Sequence, residues 1–324
     1  MVVILFSACQ NEQNATLPKS NTTTPVAKQP TVPGFNADSA YSFVAAQVAF
    51  GPRVPGSKAH SLCENWLVNK FKSYGAEVTV QSFKARAYNG KILTGKNIIA
   101  SFNTGIRKRI MLSSHWDSRP FADHDPNPAN HYKAIDGAND GASGVGILME
   151  MARRFAEKPP KVGVDIVLWD LEDYGEHNDE KVQPNEDSWG LGSQYWAKNK
   201  HNPGYHADFG ILLDMVGAKN PTFTKEYYSM KYAPSVVDKV WKAAWQLGYS
   251  DIFLNEKAGA VTDDHVYVNR DAGIPTIDII HYDPSSKSGF FPQWHTLGDN
   301  MDVISKSTLE IVGKVLMRVV YYEK

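Results

Sequence analysis

Cysteine is scarce in this chain of 324 residues, which contains only Cys9 and Cys63. Two cysteines cannot form a disulfide framework or a zinc site built from several thiolates. A metal ion would therefore have to be held by histidine and carboxylate side chains. Cys63 falls in a helical pattern among apolar neighbours, which is typical of a thiol in a protein core.

An excess of charge of either sign is also lacking. The chain has 34 Lys and Arg residues against 35 Asp and Glu residues, which gives a formal net charge of −1. Nucleic acids and anionic membranes bind surfaces with a clear basic excess, so neither is expected as a partner. No apolar run reaches the roughly 18 residues that a membrane-spanning helix needs. Apolar residues make up 42% of the chain, enough for a sizeable core.

The N-terminal residues resemble a bacterial lipoprotein signal. Residues 1–9 form a short apolar run that ends in small residues before Cys9, the residue that would be acylated. Residues 10–34 are rich in Asn, Thr, Gln, Pro and Ser, a composition typical of a flexible tether. Residues 35–324 are expected to form a single catalytic α/β domain. This organisation predicts a lipid-anchored protein of the bacterial cell envelope, on the periplasmic side; the alternative for residues 1–9 is a frayed end or a cloning remnant.

Hydrophobic periodicity predicts a chain of alternating strands and helices. Two helices and a pair of strands come first, at residues 38–49, 57–74, 76–85 and 96–102. Apolar strands then alternate with helices, at 109–114, 143–156, 164–169, 191–200, 209–214, 234–247 and 276–281. A capping box of Ser307 and Glu310 is expected to begin the last helix. The pattern predicts a three-layer α/β/α sandwich around a mostly parallel, mixed central sheet.

Histidine and carboxylate residues recur where predicted strands end. In open sheets of this kind, the ligand site lies beyond the carboxyl ends of the strands. Five segments supply such residues: His115 and Asp117, Asp136 and Asp140, Asp170 to Asp173, Asp214, and His295. Side chains of these types converging from separate segments are typical of a metal site, and zinc accepts both histidine and carboxylate ligands.

Each of these residues also has a structural interpretation. A histidine such as His115 is often a simple hydrogen-bonding residue, and Asp140 in a glycine-rich turn is often an N-cap. Glu172 and Asp173 begin an acidic stretch that is compatible with a solvated loop. Asp214 is harder to explain in this way, because a carboxylate that closes an apolar strand needs a partner. The coincidence of all five segments favours the metal site.

Seven motifs, in order along residues 50–296, resemble those of the animal-type glutaminyl-peptide cyclotransferases, or glutaminyl cyclases, which share their fold with zinc-dependent aminopeptidases. They are Phe50-Gly-Pro-Arg-Val-Pro-Gly-Ser57, Ser114-His-Trp-Asp-Ser118, Asp140-Gly-Ala-Ser143, Asp170-Leu-Glu-Asp173, Leu212-Leu-Asp-Met-Val-Gly-Ala218, Thr262-Asp-Asp-His265 and Phe291-Pro-Gln-Trp-His-Thr296. The earlier motifs are common to both branches, whereas the last two are nearer to the cyclotransferases.

The resemblance assigns a role to each matching residue. It implies zinc ligands at Asp140, Asp173 and His295, and a general acid/base at Glu172. It implies hydrogen-bonding partners of this centre at Asp214 and Asp263, and a pocket wall at Trp294. Among the other aromatic residues near the site, which include Trp116 and Phe290, Trp189 and Phe291 are expected to form a small substrate pocket with Trp294, while some of these aromatics are equally compatible with the core. Asp173 departs from the pattern, because glutamate is usual there in this superfamily; the loss of one methylene requires its loop to approach the metal more closely.

Three functions follow, and the first is favoured. It is the zinc-dependent cyclisation of N-terminal glutamine in peptides and proteins to pyroglutamate, with release of ammonia and one zinc ion per chain. The second is a dinuclear zinc aminopeptidase, in which His115 and Asp214 bind a second metal bridged by Asp140. The third is a cell-surface binding lipoprotein on a decayed peptidase fold. The Asp-Asp-His motif and Trp294 favour cyclisation, and Glu172 argues against a binding protein.

Overall fold

A computed structural model describes residues 1–3, 30–180, 185–283 and 285–324. Cys9 and most of the predicted tether therefore lie outside the described residues. Residues Met1–Pro30 and Thr31–Lys324 form two separate units, and the second contains every element named below. No helix within the described ranges has the length and apolar character needed to cross a bilayer.

The elements of the larger unit follow the predicted alternation of strands and helices. The strands are β1 (Glu77–Arg86), β2 (Ile92–Phe102), β3 (Arg109–His115), β4 (Gly163–Trp169), β5 (Phe209–Asp214), β6 (Phe223–Lys225), β7 (Phe253–Lys257) and β8 (Thr276–Ile280). The helices are α1 (Ala37–Val48), α2 (Lys58–Ser73), α3 (Ala142–Glu157), α4 (Leu191–Lys198), α5 (Tyr227–Tyr232), α6 (Pro234–Gln246), α7 (Asp264–Arg270) and α8 (Lys306–Tyr322).

Six of the strands form one mixed sheet. Its order is β1-β2-β4-β3-β5-β8, and the last four strands of this order run parallel. β2 pairs antiparallel with both β1 and β4, so the predicted early strand pair is a hairpin at one edge of the sheet. β6 and β7 make a separate two-stranded sheet. The mixed α/β architecture predicted from the sequence is confirmed.

Side chains of the central strands alternate between two hydrophobic cores. In β3, Ile110 and Leu112 belong to the larger core, while Met111 between them belongs to the other. The larger core is completed by α1, α2, α3, α6 and α8, and the smaller one by residues of α4 and α7. Because strand side chains point alternately to opposite faces, helices cover both faces of the sheet. The parallel strands are thus fixed on both sides, and their carboxyl ends meet at one edge.

The structure differs from the sequence prediction in local details. β2 begins at Ile92 rather than at residue 96, and the short elements β6, β7, α5 and α7 were not predicted. Leu62 in α2 is 44% exposed although it is apolar, because the buried positions of that helix include Cys63, Leu67 and Phe71.

The predicted capping box of the last helix is wrong. The N-cap of α8 is Ser305, whose hydroxyl accepts a hydrogen bond from the backbone N–H of Thr308. Ser307 already lies within the first turn and is exposed. Both serines lie at the start of α8, and the backbone conformation distinguishes them. Ser305 is extended, as an N-cap must be, whereas Ser307 is already helical.

We expect Ser305→Ala to lower the free energy of unfolding by about 1 kcal/mol, because it removes the acceptor for one N–H group at the start of α8. Ser307→Ala is the matched control, and a surface change of this kind should stay within about 0.5 kcal/mol of the parent. Urea denaturation of the two variants measures both values. A larger loss for Ser307→Ala would contradict the position of the cap.

Candidate metal and catalytic site

A small cavity opens at the edge where the carboxyl ends of the parallel strands meet. Its volume is about 250 Å³, the size of a pocket for one side chain rather than for a long peptide. One wall is acidic and the other is apolar and aromatic. The cavity is lined by Asp140, Glu172, Asp173, Asp214, Asp263 and His295, and by Trp189, Met215, Ala260, Val261, Thr262, Ile280, Phe290 and Trp294.

Asp140, Asp173 and His295 converge from three separate segments. Asp140 lies in the turn before α3, Asp173 follows β4, and His295 lies in the loop before α8. The Nε2 atom of His295 is 3.1 Å from Oδ1 of Asp173 and 3.6 Å from Oδ2 of Asp140. All three side chains are buried, and one donor atom from each lies within 4.8 Å of the others. The three residues that the family resemblance implies as ligands are therefore brought together.

The chemistry of this triad fits a zinc ion. Neither carboxylate oxygen of Asp173 is hydrogen-bonded among the described residues, and both are shielded from solvent. Burial, with Asp140 adding to the effect, raises the pKa of Asp173 well above its usual range. A buried carboxylate in this position needs a cation or a proton. Two carboxylates and one imidazole form a three-residue donor set of the kind that leaves one coordination position open in catalytic zinc sites.

His115 and Asp214 form a second group with the same Asp140. The Nε2 atom of His115 is 2.9 Å from Asp140 and 3.2 Å from Asp214. Burial opposes the charged form of His115, but its bonds with Asp117, Asp140 and Asp214 outweigh burial and raise its pKa well above 6.5. The charge of these carboxylates could be offset either by a proton on His115 or by a second metal ion, since one donor atom from each of His115, Asp140 and Asp214 lies within 4.8 Å of the others.

Glu172 lies between the two groups, at the wall of the cavity. Its Oε2 atom is 3.9 Å from Nδ1 of His115. Burial raises the pKa of Glu172 well above its usual value; His115 opposes this shift, and Asp263 and Asp173 increase it. A carboxylate with a raised pKa holds a proton more readily than an ordinary glutamate, which suits a general acid/base that must accept a proton and return it.

Two further carboxylates face the same cavity, as the family resemblance implies. Burial raises the pKa of Asp214 to about 7, with its bond to His115 opposing the shift and Asp140 and Asp263 adding to it. Burial also raises the pKa of Asp263, which N-caps α7. Behind Asp263 lies Asp278, whose pKa is raised well above its usual range by burial and then by Asp263 and Asp214. These groups form one acidic network under the cavity.

Strained backbone marks the segments that carry these side chains. Leu171, Met215 and His295 have positive φ angles of 60°, 50° and 54°. Leu171 immediately precedes Glu172, and Met215 immediately follows Asp214. Such conformations cost roughly 1–3 kcal/mol each, so the surrounding structure must impose them. Here each turn redirects the chain at a strand end or loop so that the polar side chain enters the cavity.

The aromatic wall agrees in part with the residues named from the sequence. Trp294 stacks on His295 with ring centroids 3.8 Å apart, and Trp189 lies parallel to the same imidazole at 6.0 Å. Phe291 does not line the cavity: it is 1% exposed and packs in a separate core with Met215 and Ile280. Phe290 lines the cavity instead, because neighbours in an extended segment point in opposite directions.

Several residues that support the site were not identified from the sequence. Asp117 accepts hydrogen bonds from the backbone N–H groups of Glu172 and Asp173, both at 3.2 Å. Asp299 holds the Asp140 turn in the same way, through the N–H groups of Asn139 and Asp140. Asp117 was noted only as part of a strand-end cluster. No local signal marks Asp299, because its role depends on how the loop before α8 folds back on the turn.

Glu226 is another such residue, and it lies behind the acidic network. Its carboxylate accepts hydrogen bonds from Tyr228 and Ser229 N–H at the start of α5 and lies 3.1 Å from Nε2 of His265. The pKa of Glu226 is lowered: burial opposes this, but the bond to His265, the charge of His265 and the N–H groups of Tyr228 and Ser229 together outweigh burial. Glu226 thereby anchors the Asp-Asp-His motif from outside the cavity.

Comparison with known proteins agrees with this geometry. The model of peptidase family M28 matches residues 97–320. A glutaminyl cyclase from Bacteroides thetaiotaomicron, solved with N-acetylhistamine, is 51% identical, with a TM-score of 0.89 over 91% of this chain and all of that one. A Zn-dependent exopeptidase from Parabacteroides distasonis is also 51% identical, with a TM-score of 0.89 over 90% of this chain and all of that one.

A more distant relative comes from the animal branch that the motifs suggested. The glutaminyl-peptide cyclotransferase of Gloydius blomhoffii is 27% identical over 301 residues, which cover 82% of this chain and 75% of that protein. The bacterial structures are thus nearer to this chain than this snake enzyme is. The family model covers most of the α/β unit, including every candidate ligand and Glu172. The chain belongs to peptidase family M28, the zinc-peptidase family that includes glutaminyl cyclases.

Proposed function

We propose that this protein is a glutaminyl-peptide cyclotransferase, which converts N-terminal glutamine of peptides and proteins to pyroglutamate and releases ammonia. The observation that carries the proposal is the cavity itself, in which Glu172 faces an aromatic pocket large enough for one side chain. Relatives of that name at 51% and 27% identity support it. The narrower likeness to the animal-type enzymes, drawn from the Asp-Asp-His and Phe-Pro-Gln-Trp-His motifs, forms part of the same proposal.

In this proposal, Asp140, Asp173 and His295 hold one zinc ion. When bound, the ion supplies Lewis-acid polarisation of the side-chain amide carbonyl of glutamine. We expect one metal ion rather than two, because His115 lies 2.9 Å from Asp140 and 3.2 Å from Asp214, where its protonated form would offset their charge. One metal ion and one protonated histidine would together offset three of the five negative charges that the carboxylates of the acidic wall can carry.

The proton transfers belong to Glu172. Cyclisation forms a bond between the α-nitrogen and the side-chain amide carbon, and it breaks the bond from that carbon to the amide nitrogen. Glu172 accepts a proton from the attacking α-amine and delivers it to the departing nitrogen, which leaves as ammonia. The pKa of Glu172 is raised, chiefly by burial, which makes its carboxylate a stronger base than an ordinary glutamate and favours acceptance of the amine proton.

The remaining side chains position the substrate and exclude water. Asp214 and Asp263 supply negative charge beside Glu172, where the substrate's α-amino group must lie. Trp189, Phe290 and Trp294 form the opposite wall and shield the amide carbon from water, which would hydrolyse it instead. Nucleophile and electrophile are parts of one residue, so holding that residue in a bent conformation supplies much of the rate enhancement.

A dinuclear aminopeptidase is the second candidate, and one observation favours it. His115, Asp140 and Asp214 converge closely enough to bind a second metal ion. In that enzyme Glu172 would activate a water molecule rather than transfer a proton from an amine. The Parabacteroides exopeptidase is as similar to this chain as the Bacteroides cyclase is, so measured turnover must distinguish the two activities.

We expect the purified protein to release ammonia and pyroglutamate from peptides with N-terminal glutamine, and to contain about one zinc ion per chain. Aminoacyl-amide reporters, assayed in parallel, should not be hydrolysed. Ammonia is measured with a coupled assay and zinc by elemental analysis. Free amino acids together with two metal ions per chain would establish the aminopeptidase instead, and no turnover of either substrate would favour a binding protein.

Glu172→Gln should lower kcat by at least about 100-fold while zinc content and stability are retained, because the amide occupies the same volume but cannot accept the proton. Glu256→Gln, an exposed change on β7, is the control and should leave kcat unaltered. Steady-state kinetics on a glutamine peptide measures both variants. More than a tenth of the parental kcat in Glu172→Gln would contradict its role.

We further propose that the protein is anchored through Cys9 to a membrane of the bacterial cell envelope, on the periplasmic side. Cys9 lies outside the described part of the chain, so the support comes from the sequence. It is the apolar run before Cys9 and the polar segment after it. Cys9→Ser should therefore move the protein from the membrane fraction to the soluble fraction, as measured by fractionation of cells and immunoblotting. An unchanged distribution would refute the anchor.

A further inference from the structure

A buried ion pair of Arg119 and Asp123 lies directly behind the candidate metal triad. Nε and Nη2 of Arg119 donate to the two oxygens of Asp123 at 2.8 and 2.6 Å. Both side chains are almost completely shielded from solvent. The pair is bidentate, which is the strongest and most directional form of this interaction.

Arg119 also fixes the loop that follows β4. Its guanidinium donates to the backbone carbonyls of Asp173 at 3.2 Å and Glu176 at 2.7 Å. The same group lies 3.6 Å from the Asp173 carboxylate and 4.7 Å from the ring centre of Trp189. Arg119 therefore holds the carbonyl side of the Asp173 backbone, while Asp117 holds its N–H group.

Asp123 reaches the other side of the triad. Its Oδ2 atom accepts the N–H of Asn178 at 2.9 Å, and its Oδ1 atom lies 3.7 Å from Nδ1 of His295. That nitrogen is buried and has no hydrogen-bond partner within the described ranges. The adjacent His124 N–H donates to the carbonyl of His295 at 3.1 Å, so this segment already holds the histidine backbone.

The stability of the fold does not by itself explain why a buried ion pair is present at this position. Removing two charges from water costs about as much as their attraction returns, and apolar residues of equal volume often serve as well. A carboxylate at the second nitrogen of a metal-binding histidine has a distinct use, because it fixes the tautomer and the ring orientation. The placement of Asp123 matches that use.

We infer that Arg119 and Asp123 are positioning residues for the metal ligands: Asp123 orients His295 so that Nε2 faces the ion, and Arg119 draws in the loop that carries Asp173. The inference rests on the zinc site of the proposed function. It also accounts for aspartate at position 173. A side chain shorter by one carbon–carbon bond, about 1.5 Å, can reach the ion only if its backbone is held closer to it.

The test is zinc affinity, measured by competition with a chromophoric chelator, of the full-length protein and its variants. Asp123→Asn keeps the shape of the side chain but removes the charge opposite His295, and it should weaken zinc binding by roughly 10–100-fold. Arg119→Lys keeps the charge but cannot form the bidentate pair or hold both carbonyls, and it should weaken binding in the same direction. The visible spectrum of the cobalt-substituted protein reports altered ligand geometry independently of turnover.

The chain offers a matched control in Arg109 and Asp165. Their bidentate bonds measure 2.8 and 2.7 Å, and they join β3 to β4 at the end of the sheet away from the cavity. Asp165→Asn breaks an equivalent ion pair, so it should lower the free energy of unfolding while zinc affinity stays within about twofold. Urea denaturation of each metal-free variant separates loss of stability from loss of affinity.

The outcomes separate the inference from the proposed function. If the parent binds no zinc, the metal assignment fails and the inference fails with it. If the parent binds zinc and both Asp123→Asn and Arg119→Lys bind it equally well, the inference alone is overturned. Equal weakening by Asp165→Asn would also overturn it, because the effect would then be general destabilisation. If Asp123→Asn does not fold, Arg119→Lys decides the question by the same criteria.

Discussion

The repulsion between carboxylates buried in one cavity is the constraint on which the site depends. Asp140, Glu172, Asp173, Asp214 and Asp263 all line the same small space. Ionised carboxylates at this depth are unstable without compensating charge, so each must have a cation, a proton or a set of N–H donors nearby. The positions of the metal triad, of His115 and of Arg119 all follow from this requirement. The pKa of Glu172 and those of the neighbouring carboxylates are raised as a result of this burial and repulsion.

Acidic residues also serve as the mechanical supports of the site. Asp117 and Asp299 each bind two consecutive backbone N–H groups, and each pair of groups belongs to a segment that carries catalytic or ligand side chains. Such contacts hold the loops in place without using the side chains that line the cavity. The contacts of Asp117 begin at the residue after Leu171, so they help to hold the strained conformation of Leu171 in place.

The strand-end rule accounts for most of what the sequence could predict. It identified the segments of Asp140, Asp173 and Asp214 because parallel strands must present their carboxyl ends together. The sequence led to Phe291 rather than Phe290 as a cavity residue and to Ser307 rather than Ser305 as the N-cap of α8, and the structure differs in both cases because each depends on the backbone conformation of single residues. The strand-end rule could not identify Asp123, Asp299 or Glu226. Their roles arise from contacts between loops that are distant in sequence and not from any local pattern.

The two candidate activities of this fold use the same side chains. The presence of these side chains therefore cannot distinguish the two reactions. The difference lies in what neutralises Asp140 and Asp214. A second metal between them would hold and activate water, whereas a protonated His115 in that position would supply no nucleophile. Three carboxylates around His115 favour the proton, and an aromatic wall formed by Trp189, Phe290 and Trp294 limits access of water. Under these conditions the amine of the bound substrate is the nucleophile closest to the amide carbon, and cyclisation is the reaction that the site favours.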